Sequence, residues 1–191
     1  MDISLNQNGS GTVALEYQIS KSLDSLGKLD GNERWNTIPV GRADFERTMD
    51  RLPDMRLLSF SSKDDGKNLV ISARMEFSNL SGLFAFLDAG GRRSSFSGDA
   101  NSGRIALTLA QGTETQNQSL DALIASISEG YEVRMSMSFP GEGNLFVSDG
   151  MGMPVKPDIG FQRRGKKVSC GFPLYEILSS RDGIIVEFQW N

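Results

Sequence analysis

Apolar and polar residues alternate along much of the chain, the mark of strands with one buried and one wetted face. Over 12–19, Val13, Leu15, Tyr17 and Ile19 point one way and Thr12, Glu16 and Gln18 the other. Over 68–77, Leu69, Ile71, Ala73, Met75 and Phe77 alternate with Ser72, Arg74 and Glu76. The pattern returns over 131–139, where Tyr131, Val133, Met135, Met137 and Phe139 share a face, and over 184–190, where Ile184, Val186, Phe188 and Trp190 do. Shorter strands are predicted at 3–6, 56–61, 93–97, 104–109, 145–148 and 166–172. Turn residues join several of them into hairpins: Asn8-Gly9-Ser10-Gly11, Asp64-Asp65-Gly66, and the stretch from Asp99 to Gly103.

Elsewhere the spacing becomes helical. Phe45, Met49 and Leu52 form one stripe, ended by Pro53; Leu80, Leu83, Phe84 and Leu87 form a second; Leu120, Leu123, Ile124 and Ile127 form a third, with Ser119 as its cap. Shorter helices are predicted at 20–27 and, after Pro173, at 174–179. Stripes and sheet each have one apolar side, and stacking them buries both. The expected fold is therefore α+β, a mainly antiparallel sheet with helices packed on one face. It forms a single domain over 1–191, with a subdivision into 1–130 and 131–191 as the alternative. Gly and Pro recur so often over 140–165 that this region reads as mostly loop with short strand pieces. Hairpin followed by helix recurs at 3–27, 56–88 and 93–129, without a residue-level repeat.

Composition narrows the chemistry. The 191 residues include no histidine and one cysteine. That excludes a histidine general base, a Ser-His-Asp or Cys-His site, an imidazole metal ligand, an internal disulfide and a thiolate zinc site. The net charge of -4 argues against a nucleic-acid partner. No cofactor motif is present: Gly9-Ser10-Gly11 and Gly141-Glu142-Gly143 lack the Lys-Ser/Thr pair and the strand–helix setting of phosphate loops. Asp64-Asp65-Gly66 lacks the spacing of a calcium loop. No metal site is expected. No run of about 18 apolar residues offers a transmembrane segment. The start carries no signal peptide. It fits a cytoplasmic protein, or equally an exported one whose signal was removed and Met1 added.

Three groups of residues carry candidate chemistry. Cys170 alternates with Val168 and Phe172 on an apolar side and reads as a buried, inert thiol. Arg163, Arg164, Lys166 and Lys167 form the densest positive run; it reads either as a solvated turn or as a contact for anionic headgroups, with Arg92-Arg93 as a lesser pair. Phe146, Met151, Met153, Val155 and Phe161 place soft apolar side chains in the Gly-rich region, where they either fold back locally or line an adaptable ligand surface. Trp35 lies in a polar linker and plugs the core end or lines a pocket.

The last third runs Ser138-Phe139-Pro140-Gly141, then Gly165-Lys-Lys-Val-Ser, a brief helix and an apolar strand closing at Trp190. The N-terminal Asp-Ile-Ser-Leu and Gly-Ser-Gly-Thr-Val-Ala-Leu-Glu-Tyr add to the pattern. In this order of elements, over about two thirds of its length, the chain resembles the LppM-like bacterial envelope lipoproteins. The lipidated cysteine and the C-terminal transmembrane segment of that family are not in this sequence. The resemblance implies a domain on the outer side of the cytoplasmic membrane, in the periplasm, that binds lipid or glycolipid. It brings no catalytic residues. The leading expectation is a non-enzymatic envelope lipoprotein domain. It would hold an amphiphile between sheet and helices, using Phe146, Met151, Met153, Phe161, Arg163, Arg164, Lys166 and Lys167. The alternatives are a scaffold that pairs another envelope protein along a sheet edge and a hydrolase using carboxylates alone.

Overall fold

The computed structural model describes residues 1–20, 39–88, 94–110, 126 and 128–191. Ten strands form a single sheet. In chain order they are β1 (Asp2–Leu5), β2 (Gly11–Ser20), β3 (Met55–Asp64), β4 (Asn68–Phe77), β5 (Ser94–Gly98), β6 (Gly103–Ala110), β7 (Glu132–Ser148), β8 (Ile159–Gln162), β9 (Arg164–Pro173) and β10 (Ile184–Trp190). The described helices are α1 (Arg42–Met49), α2 (Leu80–Leu87) and α3 (Leu174–Ser179).

The path across the sheet is β3-β4-β2-β1-β7-β10-β6-β5, with β9 also paired to β7, and β8 to β9. The three predicted hairpins all form, joining β1 to β2, β3 to β4 and β5 to β6. In the second, the Asp64 and Asp65 carboxylates accept from the amides of Gly66 and Lys67 at 2.8 and 2.9 Å, and Gly66 takes the positive φ that the turn requires. The alternating faces are also as read. Val13, Ile71, Met75, Phe77, Met137, Val186 and Phe188 are fully buried, with Ala73, Met135, Phe139, Ile184 and Trp190 nearly so. The helical stripes at 45–52 and 80–87 and the helix after Pro173 are present, and Asn79 caps α2 by accepting from the Gly82 amide at 2.9 Å. Trp35, Arg92, Arg93, all but Ser20 of the helix predicted at 20–27, and Ser119, Leu120, Leu123, Ile124 and Ile127 of the third stripe lie outside the described residues.

The fold class differs from expectation. Strand makes up 57% and helix 16% of the described residues, and the mixed sheet curls into a half-barrel instead of lying flat beneath a layer of helices. Two causes are visible. The described helices span only 8, 8 and 6 residues and bury Phe45, Met49, Leu80, Leu83 and Ile177, too little to cover ten strands. Twisted sheets of this width relieve the same need by curling, so that their own apolar sides meet. One core cluster accordingly joins Ile3, Val13 and Met75 to Met137, Leu145, Val168 and Phe188. The second difference is direction: β1 runs parallel to β7, with Asp2, Ile3 and Ser4 opposite Ser136, Met137 and Ser138. Side-chain alternation is the same for either direction.

The region read as loop is also corrected. β7 runs unbroken through Phe139, Pro140, Gly141, Glu142 and Gly143 to Ser148. Its pairing with β9 shifts between Ser138 and Gly143, a wide bulge that absorbs the proline. Trp190 explains the glycines. It lies opposite Gly143 on one neighbour and Gly103 on the other, stacks on Phe139 at 5.9 Å, and donates its indole N–H to the Asp99 carbonyl at 3.0 Å. A Cβ at Gly143 would lie 2.1 Å from the Phe139 ring, and one at Gly103 2.4 Å from Trp190.

The alternation of β7 is tested by two neighbours. Met137→Asp should cost about 3–5 kcal/mol in denaturant unfolding, because it buries an unpaired carboxylate. Ser138→Asp, opposite Lys167, should change stability by less than about 1 kcal/mol. Gly143→Ala should cost about 1–3 kcal/mol, by driving Phe139 off Trp190.

Candidate functional site

Two depressions on the strand surfaces bring candidate residues together. No residue of a described helix lines either, although the ligand cleft was expected between sheet and helices. The first is a groove of 530 Å³ along the second half of β7, and the turn after it. Its apolar walls are Leu145, Phe146, Val147, Pro154, Val155 and Phe161; Lys156, Arg163, Glu187 and Gln189 supply its polar groups. Local backbone bonds build it. The Leu145 amide donates to the Arg163 carbonyl at 2.7 Å, which ties the 163 region to β7. The Val155 amide donates to the Val147 carbonyl at 2.9 Å, folding the segment after the turn back over the strand. With both ties made, the Arg163 guanidinium sits 4.9 Å from the centre of the Phe146 ring, a cation–π contact that holds the charge at the mouth.

The eight residues singled out by sequence are divided by the structure. Phe146, Phe161 and Arg163 come together in this groove. Met151 and Met153 stand on the turn that follows β7, 82% and 63% exposed. The Asp149 carboxylate holds that turn by accepting from both of their amides, at 2.9 and 2.8 Å. Arg164 pairs with Glu142 at 3.1 Å and Lys167 with Asp2 at 2.7 Å, while Lys166 is exposed. The basic run is therefore not one patch, because adjacent residues on a strand point to opposite sides. Val155, grouped with Phe146 and Phe161 in the sequence, also lines the groove, while Lys156 and Glu187 join it without a sequence signal. Only the fold-back after Asp149 brings Val155 and Lys156 to Phe146.

The second depression, 660 Å³, lies where β2 and β7 diverge beyond β1. Ser61, Ser72, Arg74, Glu16, Arg134, Ser136 and Ser169 line it on the polar side, and Leu15, Phe60, Ala73 and Met135 on the apolar side.

Among the titratable groups that depart from ordinary behaviour, three bear on candidate chemistry. Burial pushes the Cys170 thiol up to about 11, in keeping with an inert side chain that is 3% exposed. Burial, reinforced by the Asp44 charge, pushes Tyr17 up to about 12; its hydroxyl donates to the Pro39 carbonyl. Partial burial, together with the charge and hydrogen bond of Asp158, raises Glu176. These two carboxyls face each other as a carboxylate-only hydrolase would require, but they lie outside both depressions, Glu176 half-buried on α3 and Asp158 exposed before β8. Among the described residues no three Cys, Asp or Glu side chains converge as metal ligands, and no helix is long and apolar enough to cross a membrane. No protein-family model matches the chain, no curated protein matches its sequence, and no solved structure matches its fold.

Because the Glu176 carboxyl is raised in the folded protein, its contribution to stability is present below the ordinary value of 4.5 and is lost as pH rises through and just above it. Melting temperatures of the parent and of Glu176→Gln should therefore diverge over that rise, the parent falling relative to the variant. Parallel curves would remove the Asp158–Glu176 coupling.

Proposed function

We propose that the protein is a non-enzymatic binding protein of the bacterial envelope that holds an anionic amphiphile in the groove along β7. The observation that carries this reading is the Arg163–Phe146 pair. A guanidinium is held on an aromatic face at the mouth of a groove walled by Val155, Pro154 and Phe161. An acyl chain would remove those walls from water, and a phosphate or carboxylate headgroup would meet Arg163 and Lys156. At 530 Å³ the groove falls within the range of about 300–1,000 Å³ typical of small-ligand sites. The envelope setting rests on the resemblance of the Phe-Pro-Gly strand and the order of elements after it to the LppM-like lipoproteins. It would place the domain in the periplasm or on the outer side of the cytoplasmic membrane, with lipid or glycolipid as ligand.

The Asp158–Glu176 pair gives the hydrolase reading little support, since neither carboxyl lines the groove or the second depression, where a substrate would be held.

Titration with vesicles of phosphatidylglycerol and with vesicles of phosphatidylcholine tests the proposal. Binding should be confined to the anionic vesicles and should weaken as salt rises. The double variant Arg163→Ala/Lys156→Ala should weaken it by about tenfold or more, a loss of about 1.4 kcal/mol. Arg164→Ala and Lys167→Ala should have smaller effects, because these charges are already paired. A double variant that binds like the parent at low salt would overturn the headgroup role. No binding by the parent to either vesicle would overturn the lipid reading itself.

A further inference from the structure

The chain carries eight methionines and one cysteine, and every one of them lies among the described residues. Met49, Met55, Met75, Met135 and Met137 are buried in the core, and so is Cys170. Met1 is half-buried. Met151 and Met153 differ from all of these, at 82% and 63% exposed. The sulfur that meets water is thus concentrated on one turn, the one that follows β7.

Backbone bonds hold both side chains out. The Asp149 amide donates to the Met153 carbonyl at 2.9 Å, and the Gly152 amide to the Asp149 carbonyl at 3.0 Å. The Asp149 carboxylate accepts from the amides of Met151 and Met153. The Gly150 amide donates to the Asp182 carbonyl at 2.6 Å, which fastens the turn to the approach to β10. Gly152 closes it with a φ of +83°, a conformation that glycine adopts without strain. Neither thioether lines the groove, although Gly152 and Pro154, on either side of Met153, both do. The two sulfurs therefore stand on the rim of the groove and not inside it.

We propose that Met151 and Met153 form a paired site of reversible sulfur oxidation, at which a hydroperoxide turns the rim of the groove from apolar to polar. Exposure selects these two thioethers from the rest. In the forward step a lone pair on sulfur attacks one peroxide oxygen and a sulfur–oxygen bond forms. The O–O bond breaks, and a proton passes to the departing oxygen. With hydrogen peroxide, each sulfoxide made releases one water, sulfur giving up the two electrons that the peroxide gains. The return step is that of methionine sulfoxide reductases: two thiols supply the electrons and protons, and the oxygen leaves as water. Side chains this far from the surface are open to an enzyme. The bonds that shape the turn are made by main chain and by Asp149, so oxidation of the thioethers removes none of them. What changes is the surface beside Pro154, where two polar sulfoxides replace apolar area that an entering acyl chain would cross. That last consequence rests on the amphiphile reading; the oxidation itself does not.

Timed exposure of the full chain to hydrogen peroxide, followed by proteolysis and mass spectrometry, tests the site. Met151 and Met153 should gain oxygen at least about tenfold faster than Met75, Met135 and Met137. Reductases for the two sulfoxide epimers should then remove it, and the doubly oxidised chain should melt with the untreated one. Equal rates at the buried methionines would overturn the site, and so would sulfoxide that the reductases cannot reach or a chain that unfolds on oxidation. Vesicles of phosphatidylglycerol test the consequence separately. Oxidation should weaken binding of the parent by about threefold or more, while peroxide should not affect binding by Met151→Leu/Met153→Leu. Parent binding that is equal before and after oxidation would overturn the control of the groove. Absence of binding before oxidation would overturn the amphiphile reading and this control with it, and the mass spectra would still decide the site.

Discussion

β7 has more neighbours than a straight strand can serve. Over 17 residues it pairs with β9 along one edge, and with β1 and then β10 along the other. To pass from β1 to β10 it must bend, and it bends at Phe139–Gly143, where pairing with β9 slips by several residues. The bend holds because Trp190 packs across it, resting on Phe139 and filling the space left by two glycines. Curl of the sheet, closure of the core and the position of both depressions all depend on this one change of direction. One depression lies on the stretch after the bend, and the other beside the stretch before it.

Much of this was legible as local pattern. Alternation located the core faces of β2, β4, β7 and β10 residue by residue, and turn chemistry located the hairpins. Buried alternation is a strong local signal because a one-residue slip would expose every core residue of a strand. What the pattern could not carry was the relation between strands. A parallel partner and an antiparallel one ask for the same alternation, so the β1–β7 pair was invisible. Curl is a collective property of ten strands and leaves no mark on any one of them. Helical stripes of full strength overstated their share of the architecture, because two turns of helix can be amphipathic without covering a sheet.

The candidate site divides along the same line. Phe146, Phe161 and Arg163 were found by residue type, since aromatic and cationic side chains near a glycine-rich stretch are a reasonable ligand signal. Lys156 was not found, because its role arises from a fold-back pinned by Asp149. Arg164 and Lys167 were grouped with Arg163 by nearness in sequence, and the strand separates them by giving each its own carboxylate partner. Pro140 and Gly143 were taken as loop signals when they marked a bulge inside a strand.

The parallel pairing of β1 also bears on how the chain reaches this state. Asp2 finds its partner Ser136 only after most of the polypeptide exists. The hairpin of β1 and β2 can close at once, yet one flank of β1 must wait with unmatched backbone groups until the distant strand arrives. Contacts of such long sequence separation slow folding, and an uncovered edge in that interval is open to the wrong neighbour. During synthesis β1 is thus made well before β7, and its second flank is enclosed only when β7 arrives.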